Sequence, residues 1–182
     1  MSARVTIKDN RVNYDAFRKR MKAMQGAYVK VGFPEGEPVG EAKNKGSGHS
    51  PYSDISEVVQ IAVWNEFGVP NEKAAAAGAK KGFMEFWKIP PRPFFRNAID
   101  GNRETLKAHV DKIGGLVIDG DKTVKEGLEL IGIFMQDKVK GSITATLTPP
   151  NAESTIKAKG SSHPLLDTGQ MRNSVTFTTH EG

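Results

Sequence analysis

The residues with the clearest potential for chemistry lie near the end of the sequence, where Asp167-Thr168-Gly169 follows two leucines. Aspartic proteases present a catalytic carboxylate on such a turn, and a second copy completes a pair of carboxylates that share one proton. Only 13 residues follow Gly169, which is fewer than a protease flap and a second apolar segment need. We therefore expect Asp167 and Thr168 to turn the chain into its last strand by bonding nearby backbone N–H groups. An aspartic-type peptidase using Asp167 is the alternative from another class of function.

Phosphate, metal and nucleophile chemistry have weaker support in the sequence. The stretch 115–123 approaches a phosphate-binding loop, but Asp121 separates Gly120 from Lys122 and puts a negative charge where phosphate would bind, so it predicts a turn between helices. No two histidines have metal-ligand spacing, and no Gly-x-Ser-x-Gly nucleophile motif occurs. We expect no catalytic residue, no metal and no cofactor. The histidines are His49, His109, His163 and His180.

A charged pair beside a rigid turn is the remaining candidate. Glu66 lies just before Gly68, which is placed to stop an apolar helix, and Arg92 lies among three prolines. Proline restrains its own φ and biases the preceding residue towards extended backbone, and Pro93 suits the first turn of a following helix. We predict that Glu66 and Arg92 lie within hydrogen-bond reach and form, with Pro93, a structural clamp. A catalytic role for the pair is the alternative.

Three motifs in a fixed order resemble those of a known family. They are Asn65-Glu66-Phe67-Gly68, the proline turn from Ile89 to Phe94, and the late segment from Asp167 to Ser174. The chain resembles, over roughly residues 55–177, the tail-completion or head–tail joining proteins of tailed bacteriophages. Virion-morphogenesis protein G of Mu-like phages and minor tail protein Z of lambda-like phages are related to that family.

The resemblance implies a structural protein of the phage neck and no enzyme activity. Such a protein forms a ring, of six subunits, at the head-proximal end of the tail and joins the tail to the head connector. The alternatives within the neck are a tail terminator and a head-closure ring. The implied partners are further copies of the chain, the tail terminator or tail tube protein, the head-closure or portal-side connector protein, and DNA in the lumen. The implied location is the virion, after assembly in the host cytoplasm.

Composition limits the remaining classes. A chain of 182 residues suits one domain, 1–182, and 26 Lys and Arg against 21 Asp and Glu give a net charge of +5. The excess lies in the first 30 residues, which suggests either a polyanion or acidic partner near the first helix or a solvated helix face. No apolar run approaches the ~20 residues of a membrane span. The absence of cysteine excludes disulfides and thiolate metal sites.

Apolar spacing predicts the elements that must position these residues. Alternation predicts strands at Arg4–Lys8, 27–33, 83–89 and 174–178, whereas three- and four-residue spacing predicts helices. The first helix is capped by Asn13. The second, Ile55–Phe67, is capped by Asp54 with Glu57. It is apolar on nearly all sides, which predicts that the helix is buried. Core positions are likewise predicted for the aromatic side chains Trp64, Phe67, Phe94 and Phe95. A long helix with an interruption near Gly114-Gly115 then pairs with one that begins near Asp121.

These elements predict an α+β fold, in which a small antiparallel sheet is packed on one face by a long antiparallel helix pair and shorter helices. Two insertions rich in glycine and charge, 34–54 and 70–82, are predicted to be mobile in the free subunit and to form its contacts in the neck. The stretch 151–164 is predicted to be a polar loop. The residues assigned to the interaction loops are Gly36, Lys43, Lys45, His49, Tyr52, Asn71 and Lys80.

Overall fold

The computed structural model of the protein describes residues 11–42, 52–70, 72 and 87–182. The strand predicted at Arg4–Lys8 lies outside these residues. So do 83–86 of the third predicted strand and five residues assigned to the interaction loops. Those five are Lys43, Lys45, His49, Asn71 and Lys80.

Helices make up most of the described chain, and the α+β prediction is confirmed. The helices are α1 (Arg11–Met24), α2 (Ile55–Phe67), α3 (Phe94–Asp100), α4 (Arg103–Asp119), α5 (Val124–Ala145), α6 (Glu153–Lys159) and α7 (Gln170–Asn173). The strands are β1 (Tyr28–Gly32), β2 (Val69–Pro70), β3 (Trp87–Ile89) and β4 (Thr176–His180).

Two small antiparallel sheets form from these strands. β1 pairs with β4, with Val31 opposite Phe177, so the last strand takes its neighbour from far upstream as the sequence predicts. β2 pairs with β3, the strand that leads directly into the proline turn. Tyr28 and Lys30 are exposed, whereas helix α5 packs on the sheet where Phe177 covers Gly132. The β1–β4 sheet thus faces solvent on one side and helix on the other.

The predicted helix pair is α4 and α5, joined by residues 120–123. Gly120 adopts the left-handed conformation that ends α4, with φ of 91°. Thr123 and Glu126 form a complete capping box that begins α5. The pair packs closely because Gly127 faces Ile113, where a Cβ would lie only 3.0 Å from a methyl group.

The main core lies between α2, α3, α5 and the late segment around α7. Val58, Val139, Ile143 and Val175 are wholly buried there, with Phe94 nearly so. Since this core includes residues from both sides of the proline turn and from the late segment, the three motifs belong to one packed unit. Burying such side chains contributes about 1.5–3 kcal/mol each to the free energy of unfolding.

Several predictions about elements are wrong. Helix α1 begins at Arg11, so Asn13 lies within the helix and does not cap it. The long helix breaks at Gly101 and Asn102, where the Asn102 side chain donates to the Ala98 carbonyl at 2.8 Å, and it continues through Gly114-Gly115. The stretch predicted as a polar loop contains helix α6. Helix α2 has the predicted bounds, but only one side of it is buried. Its exposed apolar side chains are Val63, Trp64 and Phe67, with exposed fractions of 46%, 41% and 59%.

Candidate functional site

Glu66 lies on the last turn of α2 and binds the start of another helix. Its carboxylate accepts the backbone N–H groups of Phe95 at 2.8 Å and Arg96 at 3.2 Å. These are the second and third residues of α3, the groups that an N-cap side chain normally satisfies. Pro93 occupies the N-cap position and has no side-chain acceptor. Glu66 therefore caps α3 from a different helix, and its negative charge also suits the positive end of the helix dipole.

Arg92 lies in the proline turn and is only 3% exposed. Its guanidinium donates to the carbonyls of Pro149 at 2.7 Å and Pro150 at 3.1 Å, and to the side-chain oxygens of Asn65 at 3.2 Å and Asn151 at 3.3 Å. The Arg92 backbone N–H also donates to the Asn65 carbonyl at 2.6 Å. The guanidinium group thus donates hydrogen bonds to four neutral oxygens. Burial lowers the pKa of Arg92 from its ordinary value.

The predicted direct pair of Glu66 with Arg92 is wrong. Among the described residues the ion partner of Glu66 is Arg96, whose Nε lies 2.9 Å from the Glu66 carboxylate, and Arg92 binds neutral oxygens. The physical reason is geometric: Glu66 faces the open N–H groups of α3, while Arg92 is turned towards the chain that follows α5. Both residues still join α2 to the proline turn.

The late motif forms a turn and a short helix. Gly169 has φ of 83°, a left-handed conformation that glycine adopts without strain, and it begins α7. The Thr168 hydroxyl is buried and accepts the Gln170 N–H at 3.3 Å. The chain thus turns at Thr168 and Gly169 into α7 and only then into β4, one helical turn later than the sequence predicts.

Helix α7 and Ser174, the residue that follows it, bind both described ends of the first insertion. At one end the Gly40 N–H donates to the Ser174 hydroxyl at 2.8 Å, and Asn173 donates to the Glu41 carbonyl at 2.6 Å. At the other end Gln170 exchanges two hydrogen bonds with the backbone of Tyr52, at 2.9 and 3.2 Å. The insertion is therefore fastened to the core at both of its described ends.

A cleft of about 530 Å³ opens between α2, α6 and the turn at Asp167. Its floor is apolar, and Trp64 stands partly exposed at its wall. Asp167 is the one acid among the described residues that line it, so a pair of carboxylates would need a second acid from elsewhere. The polar and aromatic groups of the lining include Tyr52, Trp64, Asn65, Lys159, Asp167, Thr168 and Gln170.

Two ionisable groups of this cleft have shifted pKa values. Burial raises the pKa of the Tyr52 phenol, and the negative charges of Asp167 and Glu57 raise it further. Burial lowers the pKa of the Lys159 ammonium, and the charge of Asp167 partly opposes that effect. Lys159 donates to the carbonyls of His163 at 3.0 Å and Pro164 at 3.3 Å, which fixes the loop that carries the late motif.

The remaining candidates of the sequence take structural positions. His109 stacks on Phe134 with ring centroids 4.4 Å apart, and His180 stacks on Tyr28 at 4.6 Å. The ring Nε2 of His163 lies 2.8 Å from the Thr144 carbonyl. Within the described ranges no group of three or more His, Cys, Asp or Glu side chains is arranged to hold a metal ion. None of the helices in those ranges combines the length and apolar character that a membrane span requires.

The sequence did not single out several residues that complete the site. Asn65 and Asn151 accept hydrogen bonds from Arg92, Arg96 neutralises Glu66, and Gln170 with Asn173 holds the insertion. Asn65 and Gln170 lie inside the three ordered motifs, and that position was the signal by which the sequence could have identified them. Gly36 is exposed at a turn, so of the interaction residues within the described ranges only Tyr52 belongs to the cleft.

Comparison of the chain with known proteins gave no relative. No protein-family model, no curated protein and no solved structure matches it.

Proposed function

We propose that the chain is a structural protein of the neck of a tailed bacteriophage. In this role it forms a ring at the head-proximal end of the tail and joins the tail to the head connector. The observation that carries the proposal is the meeting of the three ordered motifs in one packed unit. Arg92 of the second motif binds Asn65 of the first at 2.6 Å, and Asp167 of the third lines the same cleft as Asn65.

The use made of the polar motif residues agrees with an assembly role. Glu66 accepts two backbone N–H groups, Arg92 donates to two backbone carbonyls, and Gln170 binds the backbone of Tyr52. Groups that hold backbone in this way position the elements of a scaffold. The first insertion is anchored to that scaffold at Glu41 and Tyr52, and the residues between these anchors are proposed to contact neighbouring proteins.

The anchors also define which part of the insertion can be removed without harm to the fold. Val39 and Tyr52 pack against the core, and Asp54 caps α2 by accepting the Ser56 N–H at 2.7 Å. Deletion of the whole stretch 34–54 would therefore remove structural contacts together with the joining surface. Residues 43–51 lie between the anchors and are the segment to alter.

The test is complementation of a phage that lacks the gene. A chain in which residues 43–51 are replaced by a glycine and serine linker of equal length is expected to fold with a wild-type circular dichroism spectrum and melting temperature. Electron microscopy of the lysate should then show DNA-filled heads beside separate tails. A second linker variant, in which the charged residues of the native segment are kept at their own positions, serves as the matched control. Intact virions at normal yield from the phage that lacks the gene altogether would refute the neck assignment.

The same micrographs separate the three neck roles. A missing tail terminator should leave tails of irregular length, and a missing head-closure ring should leave heads that have lost their DNA. Normal tails beside filled heads indicate the completion role, which is the assignment proposed for this chain.

A further inference from the structure

Helix α1 presents a positive face that makes no ion pair with any other residue that the structure describes. The Arg20 side chain turns inward, close to Gly120 at the end of α4, whereas Arg18, Lys19 and Lys22 are exposed. Between residues 13 and 32 the chain has five basic side chains and one acid, Asp15. The outer face of α1 is therefore both basic and open.

The same face carries apolar side chains. Tyr14, Phe17 and Met21 have exposed fractions of 60%, 39% and 42%, and they lie beside Arg18 and Lys22 at three- and four-residue spacing. A helix in contact only with solvent does not need such a stripe, and a purely electrostatic ligand would not use it. Apolar area flanked by charges is the composition of a surface that another protein covers.

A segment of opposite charge lies at the far end of β1. Residues 34–42 contain Glu35, Glu37 and Glu41, all exposed, and no base. A turn closed by the Glu37 N–H on the Pro34 carbonyl at 3.4 Å, with φ of 82° at Gly36, holds the first two of these acids on either side of one glycine. The anchoring of Gly40 and Glu41 to α7 fixes the segment, so this acidic surface is preorganised.

Neither surface forms an ion pair with the part of its own subunit that the structure describes. Within the described ranges the ion pairs join Glu66 to Arg96, Asp100 to Arg103 and Asp137 to Lys138, and none includes a charge of α1 or of residues 34–42. Arg18 lies instead over the Tyr14 ring at 5.9 Å, and Lys30 over the Tyr28 ring at 5.4 Å. Two unneutralised surfaces of opposite sign on one chain are complementary to each other across two copies.

We propose that the exposed face of α1 binds the acidic segment 34–42 of a second copy of this chain. The two surfaces are different parts of the molecule, so the contact is head-to-tail, and repetition of such a contact closes a ring when the rotation allows it. The inference rests on the proposed ring and supplies the contact by which its subunits would recognise each other. Charge sets the partner and the register, and the Tyr14, Phe17 and Met21 stripe supplies the apolar area that becomes buried.

Charge reversal on each surface tests the contact. One variant carries Arg18→Glu and Lys22→Glu, and the other carries Glu35→Lys and Glu37→Lys, with circular dichroism used to confirm that both fold. Sedimentation velocity of the wild type at increasing concentration is expected to show self-association that weakens with added salt. Each variant alone should need at least about tenfold higher concentration to associate, because like charges then face each other.

Mixing the two variants gives the decisive result. In an equimolar mixture the reversed segment of one variant meets the reversed helix of the other, and the two native surfaces also meet with opposite charges. Like charges then face each other only between two copies of the same variant. Alternating complexes should therefore form at wild-type concentrations. The control variant, Lys107→Glu with Lys125→Glu, makes the same net charge change as Arg18→Glu with Lys22→Glu. It places that change on exposed residues of α4 and α5 and should associate like the wild type.

Three outcomes would overturn the inference. They are a wild type that stays monomeric at the highest soluble concentration, reversed variants that associate like the wild type, and a mixture that fails to restore association. A duplex DNA of about 30 base pairs serves as the competing ligand. If Arg18→Glu with Lys22→Glu abolishes DNA binding and leaves association unchanged, the α1 face is a nucleic-acid surface. The neck proposal is tested separately by the phage that lacks the gene, so either idea can fail while the other stands.

Discussion

Removal of the Glu66 carboxylate tests the capping of one helix by another. Glu66→Ala takes away the acceptor of two N–H groups in the first turn of α3, and loss of such a cap costs about 1–2 kcal/mol. The side chain is only 8% exposed, so its lost methylene packing adds about 1 kcal/mol. Its ion pair with Arg96 adds at most about 1 kcal/mol, because the Arg96 side chain is 56% exposed. The free energy of unfolding should fall by about 3 kcal/mol in total, which lowers the melting temperature of a chain of this size by roughly 6–12 °C.

The assay is urea unfolding followed by circular dichroism at 222 nm, with Arg96→Ala as the matched variant. If backbone capping dominates, Arg96→Ala should lower the free energy of unfolding by no more than about 1 kcal/mol. Glu66→Gln keeps one side-chain acceptor and loses the charge, so it should fall between the two. A double-mutant cycle of Glu66 with Arg92 should give little coupling compared with the cycle of Glu66 with Arg96. The reasoning is refuted if Glu66→Ala changes stability by less than about 1 kcal/mol, or if Arg96→Ala is equally damaging.

Four further outcomes are expected. Arg92→Lys should lower the free energy of unfolding by about 2–4 kcal/mol in urea titrations, because an ammonium cannot reach the four oxygens that the planar guanidinium binds; an unchanged midpoint would contradict this. Gly132→Ala should lower the free energy of unfolding by about 1–3 kcal/mol, because the added methyl group would clash with the Phe177 ring of β4. Gly114→Ala should raise it by about 0.5–1 kcal/mol, because no neighbouring atom lies within contact distance there. The pKa of Tyr52 is raised in the folded state, so its contribution to the free energy of unfolding is complete below the ordinary tyrosine pKa of ~10 and is lost as the pH rises above it. Tyr52→Phe should therefore flatten the alkaline end of a plot of the free energy of unfolding against pH. An unaltered slope would count against the shift. Asp167→Asn should fold normally, and peptide cleavage by the parent that disappears in this variant would favour the peptidase alternative.

The sequence predicted those elements whose ends are marked by side chains. Helix α2 has the predicted bounds because Asp54 begins it and Gly68 ends it, and the turn between α4 and α5 follows from Gly120 and Thr123. Gly114-Gly115 misled the prediction because two glycines lower helix propensity by only about 1 kcal/mol each, which the packing of the flanking residues outweighs. A signal for α6 was present in the acid at its start, the bases in its last turn and the glycine after it.

The partners of the charged residues were harder to predict for a physical reason. A sequence displays side chains, so it suggests a basic side chain, Arg92, as the partner of Glu66. The true acceptor role involves backbone N–H groups at the start of α3, which every residue except proline possesses. Pro93 was the clue, because a helix that begins after a proline has no side-chain cap of its own and needs one from elsewhere. The side chain of Arg92 likewise binds backbone groups that its sequence context does not reveal, the carbonyls of Pro149 and Pro150.

The fastening of one insertion to helix α7 has a consequence for how the chain can vary. Since Glu41 and Tyr52 both bind within this four-residue helix, the span between them departs from and returns to nearly the same place. Lengthening a chain segment whose ends are already held together costs only about 0.6 kcal/mol for each doubling of its length. Foreign sequence can therefore be grafted between these anchors, an epitope or an affinity tag for instance, while the core keeps its stability.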